Sequence, residues 1–293
     1  MLPSVILPGH PDYSELVRIR DGIAVTCGGL DILQAEFPQL VRNAIDFVLD
    51  PVRTGRTRIE ELDNVEKTFV GLKIEHFVRD VLKAPKGIRD LVIDGKDVDV
   101  KNTLDNSWMI PPETFMSEDP CLVINSKEKE HTCWMGLMLA RQAYLNKPNR
   151  DGKRGVRADA VANVLWIVEG AEYPESVWLP FDMAEFRRLR EEVKHGAPRI
   201  SEFLRKNLGV PVHRTVIESL LFDQLDPMKR IRGNGGARDL LRKEQIAVLS
   251  NEYGKQALAD LHWPPIGKQE TIAIAPRSVE ERTYLVSNGY IDP

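Results

Sequence analysis

The chain has little cysteine: Cys27, Cys121 and Cys133 are the three in 293 residues, and no two share a pairing spacing. That argues against a disulfide framework and, with no second pair of ligands at a metal-binding spacing, against a closed zinc site, which needs four. His131-Thr-Cys133 has no second pair to complete it and reads as ordinary strand. The three thiols are expected to be reduced and buried in a cytoplasmic protein. Long apolar runs are missing as well. Trp134–Ala140 falls far short of the roughly 20 residues a membrane helix needs, and the first ten residues lack the basic start and apolar core of a signal peptide. Positive charge is not in excess: 40 Lys and Arg against 44 Asp and Glu give a net charge of −4, so the whole chain does not advertise a polyanion as partner. There is no internal repeat or low-complexity segment. What is present, 42% hydrophobic and 29% charged residues, fits a soluble globular protein long enough for two domains.

The most informative stretch is Ile88–Lys101, which predicts two short β-strands joined by Asp94-Gly95. Both central residues of a type I′ turn need positive φ, which Asp-Gly tolerates. On the second strand Asp97, Asp99 and Lys101 share one face and Val98 and Val100 the other, because side chains alternate. An acid and a lysine two residues apart can serve one small site: the carboxylate can hold a divalent cation and the ammonium can sit against a phosphate. Asp90 precedes Asp99 by nine residues and can meet it across the pair. Upstream, Phe69, Leu72, Phe77, Val78 and Val81 are near helical spacing, so residues 66–83 predict a helix that aims Glu75 at the hairpin. Charged residues alternating with valines more often mean a solvated strand face. Asp94, Lys96 and Asp97 flank the turn and are read that way; Glu75, Asp90, Asp99 and Lys101 are read as functional because they occur together and in order. That ordered set resembles the PD-(D/E)xK nuclease superfamily, in which the acids bind metal.

Charge is unevenly distributed. Residues 141–160 carry Arg141, Lys147, Arg150, Lys153, Arg154 and Arg157; residues 226–246 carry Lys229, Arg230, Arg232, Arg238, Arg242 and Lys243. Two basic segments on a mildly acidic chain suit a DNA enzyme: cationic surface meets phosphate while the rest stays soluble. A helix is expected over 30–49, with a break near Pro38. Short apolar runs at Trp108–Ile110, Cys121–Ile124 and 133–140 are expected to be strands of one sheet, and Asn149–Gly155 a charged loop. Ala158–Val168 reads equally as helix or strand. Residues 169–176 are expected to link a domain 1–168 to a domain 177–293. The latter shows amphipathic helices at Met183–Val193, Ile200–Leu208 and His213–Phe222, a sharp loop at Gly233–Gly236, a helix at Ala237–Ser250, and closing strands at Thr271–Ile274 and Thr283–Val286. Short helices followed by a small hairpin outline a winged helix-turn-helix.

The residues resemble one family over most of the chain, the NaeI-type restriction endonucleases. The resemblance runs through the Glu75 helix, the Asp90…Asp99-Val100-Lys101 hairpin, Trp108–Glu113, Asn149–Arg154 and Lys229–Arg238. It implies an α/β endonuclease domain followed by a mostly α, winged helix-turn-helix-like domain similar to CAP. It implies a homodimer, double-stranded DNA as substrate, Mg²⁺ as cofactor, and stimulation by a second duplex. Glu75, Asp90, Asp99 and Lys101 would form the active site, with Mg²⁺ on Asp90, Asp99, the Val100 carbonyl and Glu75. Arg150, Lys153 and Arg154 would lie near the cut backbone, and Lys229, Arg230, Arg232, Asn234 and Arg238 at a second duplex. Two other readings share parts of this pattern: a non-catalytic DNA-binding regulator with a nuclease-like fold, and a repair or modification-dependent nuclease. An intact set of three acids and a lysine argues against the first; the absence of an aromatic-rich loop argues against a base-flipping form of the second.

Overall fold

The structure is a computed structural model and describes residues 2–104 and 107–293. The chain forms two compact units: residues 2–49 with 58–176, and residues 50–57 with 177–293.

In the first unit, α1 (Tyr13–Cys27), α2 (Leu30–Leu49) and, beyond α3 (Pro51–Thr54) of the second unit, α4 (Asn64–Leu82) lead into the sheet. Pro38 lies inside α2 without ending it. An internal proline costs about 3 kcal/mol, whereas each large apolar side chain buried contributes about 1.5–3 kcal/mol. Phe37, Leu40, Val41 and Ile45 around it are all buried, so packing outweighs the lost bond and the expected break does not occur. α4 starts at a capping box: the Asp63 carboxylate accepts from Glu66 N at 2.8 Å and the Glu66 carboxylate accepts from Asp63 N at 3.0 Å. Its buried stripe is Val70, Ile74, Val78 and Leu82. Phe69 and Leu72, two of the apolar residues whose spacing predicts the helix, are exposed; the i, i+4 row of aliphatics defines the inner face.

β1 (Leu91–Ile93) and β2 (Lys96–Thr103) form the hairpin, with φ of +48° at Asp94 and +71° at Gly95. β3 (Met109–Ile110), α5 (Pro112–Met116), β4 (Pro120–Lys127), β5 (Thr132–Leu139), β6 (Leu145–Pro148), β7 (Arg154–Val156) and β8 (Leu165–Glu172) follow. Among the described residues the main sheet has the order β1-β2-β4-β5-β8, antiparallel except for the parallel β2–β4 pair. β4 is central and buried on both faces, as its apolar run predicts. Leu122 and Ile124 face the helices with Val98 and Val100; Cys121 and Val123 face a second core with Trp108, Ile110 and Phe115. Trp108–Ile110 does not join the main sheet. β3 pairs with β7, which pairs with β6, so the expected charged loop Asn149–Gly155 is the tip of a hairpin in a smaller sheet. The ambiguous stretch Ala158–Val168 divides into a 3₁₀ turn at Asp159–Asn163 and the start of β8, which continues to Glu172.

The second unit contains α6 (Met183–Glu192), α7 (Gly196–Lys206), β9 (Val212–His213), α8 (Arg214–Leu220), α9 (Ala237–Arg242), β10 (Ala247–Ser250), α10 (Lys255–Asp260), β11 (Glu270–Ile274) and α11 (Val279–Ser287). The expected helix Ala237–Ser250 ends early, because Gln245 adopts φ of +62° and Ile246 N bonds back to Leu241 O at 3.0 Å. The chain then enters β10, which pairs with β11, itself paired with β9. Thr283–Val286 is helical rather than a closing strand. Ser278 accepts from Glu281 N at 3.2 Å, an N-cap that outweighs the β-propensity of the segment.

Candidate active site

β1 stops opposite Val98, so the backbone of Val100 has no β1 partner. Its N–H donates to Asp90 Oδ2 at 2.7 Å, and its carbonyl accepts from Lys101 Nζ at 3.0 Å. Asp90 and Lys101 therefore complete the sheet edge with side chains, and this brings them to one point. Lys101 Nζ also bonds Asp99 Oδ1 and stands 3.9 Å from Asp90 Oδ2. Asp99 is 4% exposed, and its second oxygen accepts from the Thr114 hydroxyl at 2.7 Å. Glu75, from α4, lies near enough to feel the charges of Lys101 and Asp99 and lines a cleft together with Val100. Of the four residues singled out from the sequence, Asp90, Asp99 and Lys101 are brought together by direct contacts, and Glu75 stands close by on α4.

Three carboxyl groups share this place with one ammonium. Burial pushes the Asp99 carboxyl above its ordinary value of 3.8, the neighbouring Asp90 carboxyl pushes the same way, and Lys101 and Thr114 oppose the shift. Burial likewise raises Glu75 above 4.5, opposed by Lys101 and Asp90. Burial disfavours the charged form of both carboxyls, a cost that a divalent cation bound beside them would offset. The donor set fits a hard ion: Asp90, Asp99 and the Val100 carbonyl supply oxygen only. Among the described residues no three His, Cys, Asp or Glu side chains, Glu75, Asp90 and Asp99 included, stand close enough to hold a metal ion by themselves.

Several supporting residues were not legible in the sequence. Asp97, read as a solvated turn residue, accepts from Ile88 N at 3.0 Å and Arg89 N at 3.1 Å and so pins the loop that ends at Asp90. At Gly87 a Cβ would lie 1.9 Å from Asp97 Oδ1, so this close approach needs glycine. Arg89 donates to Asp119 Oδ2 at 3.0 Å and to the Glu113 carbonyl. A spacing argument finds none of these, because each joins loops distant in sequence. Asp94 and Lys96 do pair on the surface, with Arg18 at 2.9 Å and Glu15 at 3.0 Å.

Beside the site lies a cleft of about 990 Å³ whose walls include Glu75, Val100, Asn102, Lys67, Lys127, Lys129 and Lys153. Of the basic hairpin residues, Lys153 lines this cleft, Arg150 is exposed, and Arg154 lies with its guanidinium 4.7 Å from the Phe115 ring centroid. Lys67, Lys127 and Lys129 sit in segments of mixed charge and belong to no basic run in the sequence. In the second unit Lys229 and Arg230 are exposed on a 3₁₀ turn (Pro227–Arg230), and Arg232 and Asn234 on the loop that follows it. Arg238 is half-buried over Tyr253, 3.6 Å from its ring centroid, and donates to Val248 O at 3.3 Å.

A mixed α/β unit with two acids and a lysine at the edge of its sheet is compatible with a restriction-endonuclease-like fold. The chain belongs to the restriction endonuclease NaeI family, whose model matches residues 23–281. Type II restriction enzyme NaeI of Lentzea aerocolonigenes is 32% identical over 274 residues, covering 90% of this chain and 84% of that one.

Proposed function

We propose that the protein is a Mg²⁺-dependent, sequence-specific endonuclease of double-stranded DNA. The observation that carries this reading is the convergence of Glu75, Asp90, Asp99 and Lys101 beside a lysine-rimmed cleft. Asp90, Asp99 and the Val100 carbonyl would hold Mg²⁺, with Glu75 at its edge; the ion would supply charge stabilisation at the scissile phosphate and lower the pKa of the attacking water. Lys101 orients that water and offsets the charge that develops in the transition state. Lys153, with Lys67, Lys127 and Lys129, would track the backbone of the cleaved strand. Arg150 and Arg154 belong to the same hairpin and would flank it.

The second unit is proposed as a winged helix-turn-helix. Support comes from the element order α7, β9, α8, α9, β10, α10, β11 and the antiparallel sheet order β10-β11-β9, with α9 in the place of a recognition helix. Its exposed loop Lys229–Asn234 would meet a second duplex, and a homodimer would present each surface twice. The name of the Lentzea relative favours cleavage over the DNA-binding regulator, and the complete acid–lysine set favours it independently.

The test is cleavage of supercoiled plasmid with Mg²⁺ by the parent and by Lys101→Ala, with DNA binding measured in Ca²⁺. The parent is expected to give discrete products and the variant none, at similar binding. Cleavage by Lys101→Ala within a few-fold of the parent would overturn the site assignment; binding without cleavage by the parent would favour the regulator. Methylated plasmid cut in preference to unmethylated would favour the modification-dependent nuclease.

A further inference from the structure

α5 is a short helix with contacts out of proportion to its length. From its middle the Thr114 hydroxyl, fully buried, donates to Asp99 Oδ2 at 2.7 Å. The next residue, Phe115, carries the Arg154 guanidinium on its ring. The strand that leads into α5 is paired with the strand that carries Arg154, with Ile110 opposite Arg154 and Met109 opposite Gly155. The Glu113 carbonyl accepts from Arg89, the neighbour of Asp90.

We propose that the Thr114 hydroxyl is a positioning group for the Asp99 carboxylate, and that α5 ties this orientation to the strand bearing Arg154. The inference rests on the nuclease reading above. The physical argument begins with the aspartate torsion. The terminal χ2 of aspartate is broad and does not by itself fix the plane of the carboxylate. Here the plane is set from outside: Lys101 holds Oδ1 and Thr114 holds Oδ2. A carboxylate held at both oxygens presents the remaining lone pairs in a fixed direction, which is what a metal ligand needs and what its outer partners commonly supply. Thr114 can do this only while α5 is seated. Phe115 is buried in the second core and capped by Arg154, so displacement of Arg154 by a phosphate, or its recruitment to one, reaches Asp99 through two adjacent residues. Engagement of the backbone by the hairpin and readiness of the acid are then one event.

The hydroxyl, not the packing, is the active element, and this separates the proposal from an ordinary buried threonine. Thr114→Val keeps the shape and removes the donor; Thr114→Ser keeps the donor and removes a methyl. With full-length protein in excess over a plasmid that the parent linearises, Thr114→Val is expected to slow single-turnover cleavage roughly tenfold to a hundredfold, the cost of a misplaced reacting group. Binding of a duplex spanning the cut position, in Ca²⁺, should stay within about twofold, and Thr114→Ser should cut within about threefold of the parent. In a cycle with Arg154→Met the two losses should be less than multiplicative, the sign of a shared path. Parent-like cleavage by Thr114→Val, equal loss in Thr114→Ser, or fully multiplicative losses would each overturn the proposal while leaving the nuclease reading intact. A parent that does not cut would overturn both.

Discussion

Lys101 is the residue on which the proposed site turns. It is the one ammonium among three carboxyls, and it touches Asp99, the Val100 carbonyl and, at 3.9 Å, Asp90. Its removal should therefore act on the transition state far more than on DNA affinity, to which one phosphate contact of several adds little. A second prediction concerns which acids hold the ion. Asp99→Asn should weaken Mn²⁺ binding in a calorimetric titration at least tenfold, about 1.4 kcal/mol or more. Asp97→Asn should leave it within about threefold, because an amide oxygen can still accept from the Ile88 and Arg89 backbones. Equal affinity in Asp99→Asn and the parent would remove Asp99 from the ligand set. At this scale the sequence was informative where chemistry is local. Glu75, Asp90, Asp99 and Lys101 could be read from alternation and order. Thr114 and the loop-pinning role of Asp97 could not, because their partners are 15 and eight or nine residues away through turns that no periodicity describes.

At the scale of elements, local signals and packing disagree in instructive places. The hairpin was legible because Asp94-Gly95 is both a turn dipeptide and a register marker. α4 was legible as a helix but not in its facing, since two large apolar residues, Phe69 and Leu72, point away from the core. α11 was misread although Ser278 and Glu281 form a capping pattern ahead of it. The cap of α4 matters because this helix delivers Glu75: Asp63→Ala should cost about 1 kcal/mol of stability by urea titration, with m unchanged. In the second unit Glu185 of α6 is held by Arg188 of the same helix and is tied to α7 by Lys206. Hydrogen bonds from Arg188 and then Lys206 hold its carboxyl down at about 2, against an ordinary 4.5. A depressed acid stabilises the fold above its unfolded pKa and loses that contribution as pH falls through its folded pKa. Parent and Glu185→Gln should differ most above pH 4.5 and converge toward pH 2. The pair is partly exposed, so the difference should be small and should shrink in high salt. A difference that grew as pH fell would contradict the assignment.

For the molecule as a whole, two cationic surfaces on two units predict cooperativity in DNA. The Lys153 cleft belongs to the first unit and the Lys229–Asn234 loop to the second. Arg230→Ala with Arg232→Ala should reduce the salt dependence of binding by about two phosphate contacts and abolish stimulation of plasmid cleavage by an added oligonucleotide carrying the cut site. A parent that cuts single-site and two-site plasmids equally, with no response to the oligonucleotide, would assign both surfaces to one duplex. The apolar pattern of the main sheet made the α/β character of the first unit readable. The path of the chain between units was not, because residues 50–57 carry no compositional mark of belonging elsewhere.

That path has a topological consequence. Residues 50–57 pack with 177–293, and Val52 lies against the core of the second unit. The chain therefore crosses between the units at 49/50, 57/58 and 176/177. No single cut, natural or engineered, can yield either unit as one intact polypeptide. A fragment ending at Ser176 would carry Val52 with its packing partners removed, and a fragment beginning at Val177 would lack α3 altogether. Freeing one unit covalently from the other takes three scissions, so a protease that nicks one crossing should leave a particle that migrates as two pieces under denaturing conditions and as one under native conditions.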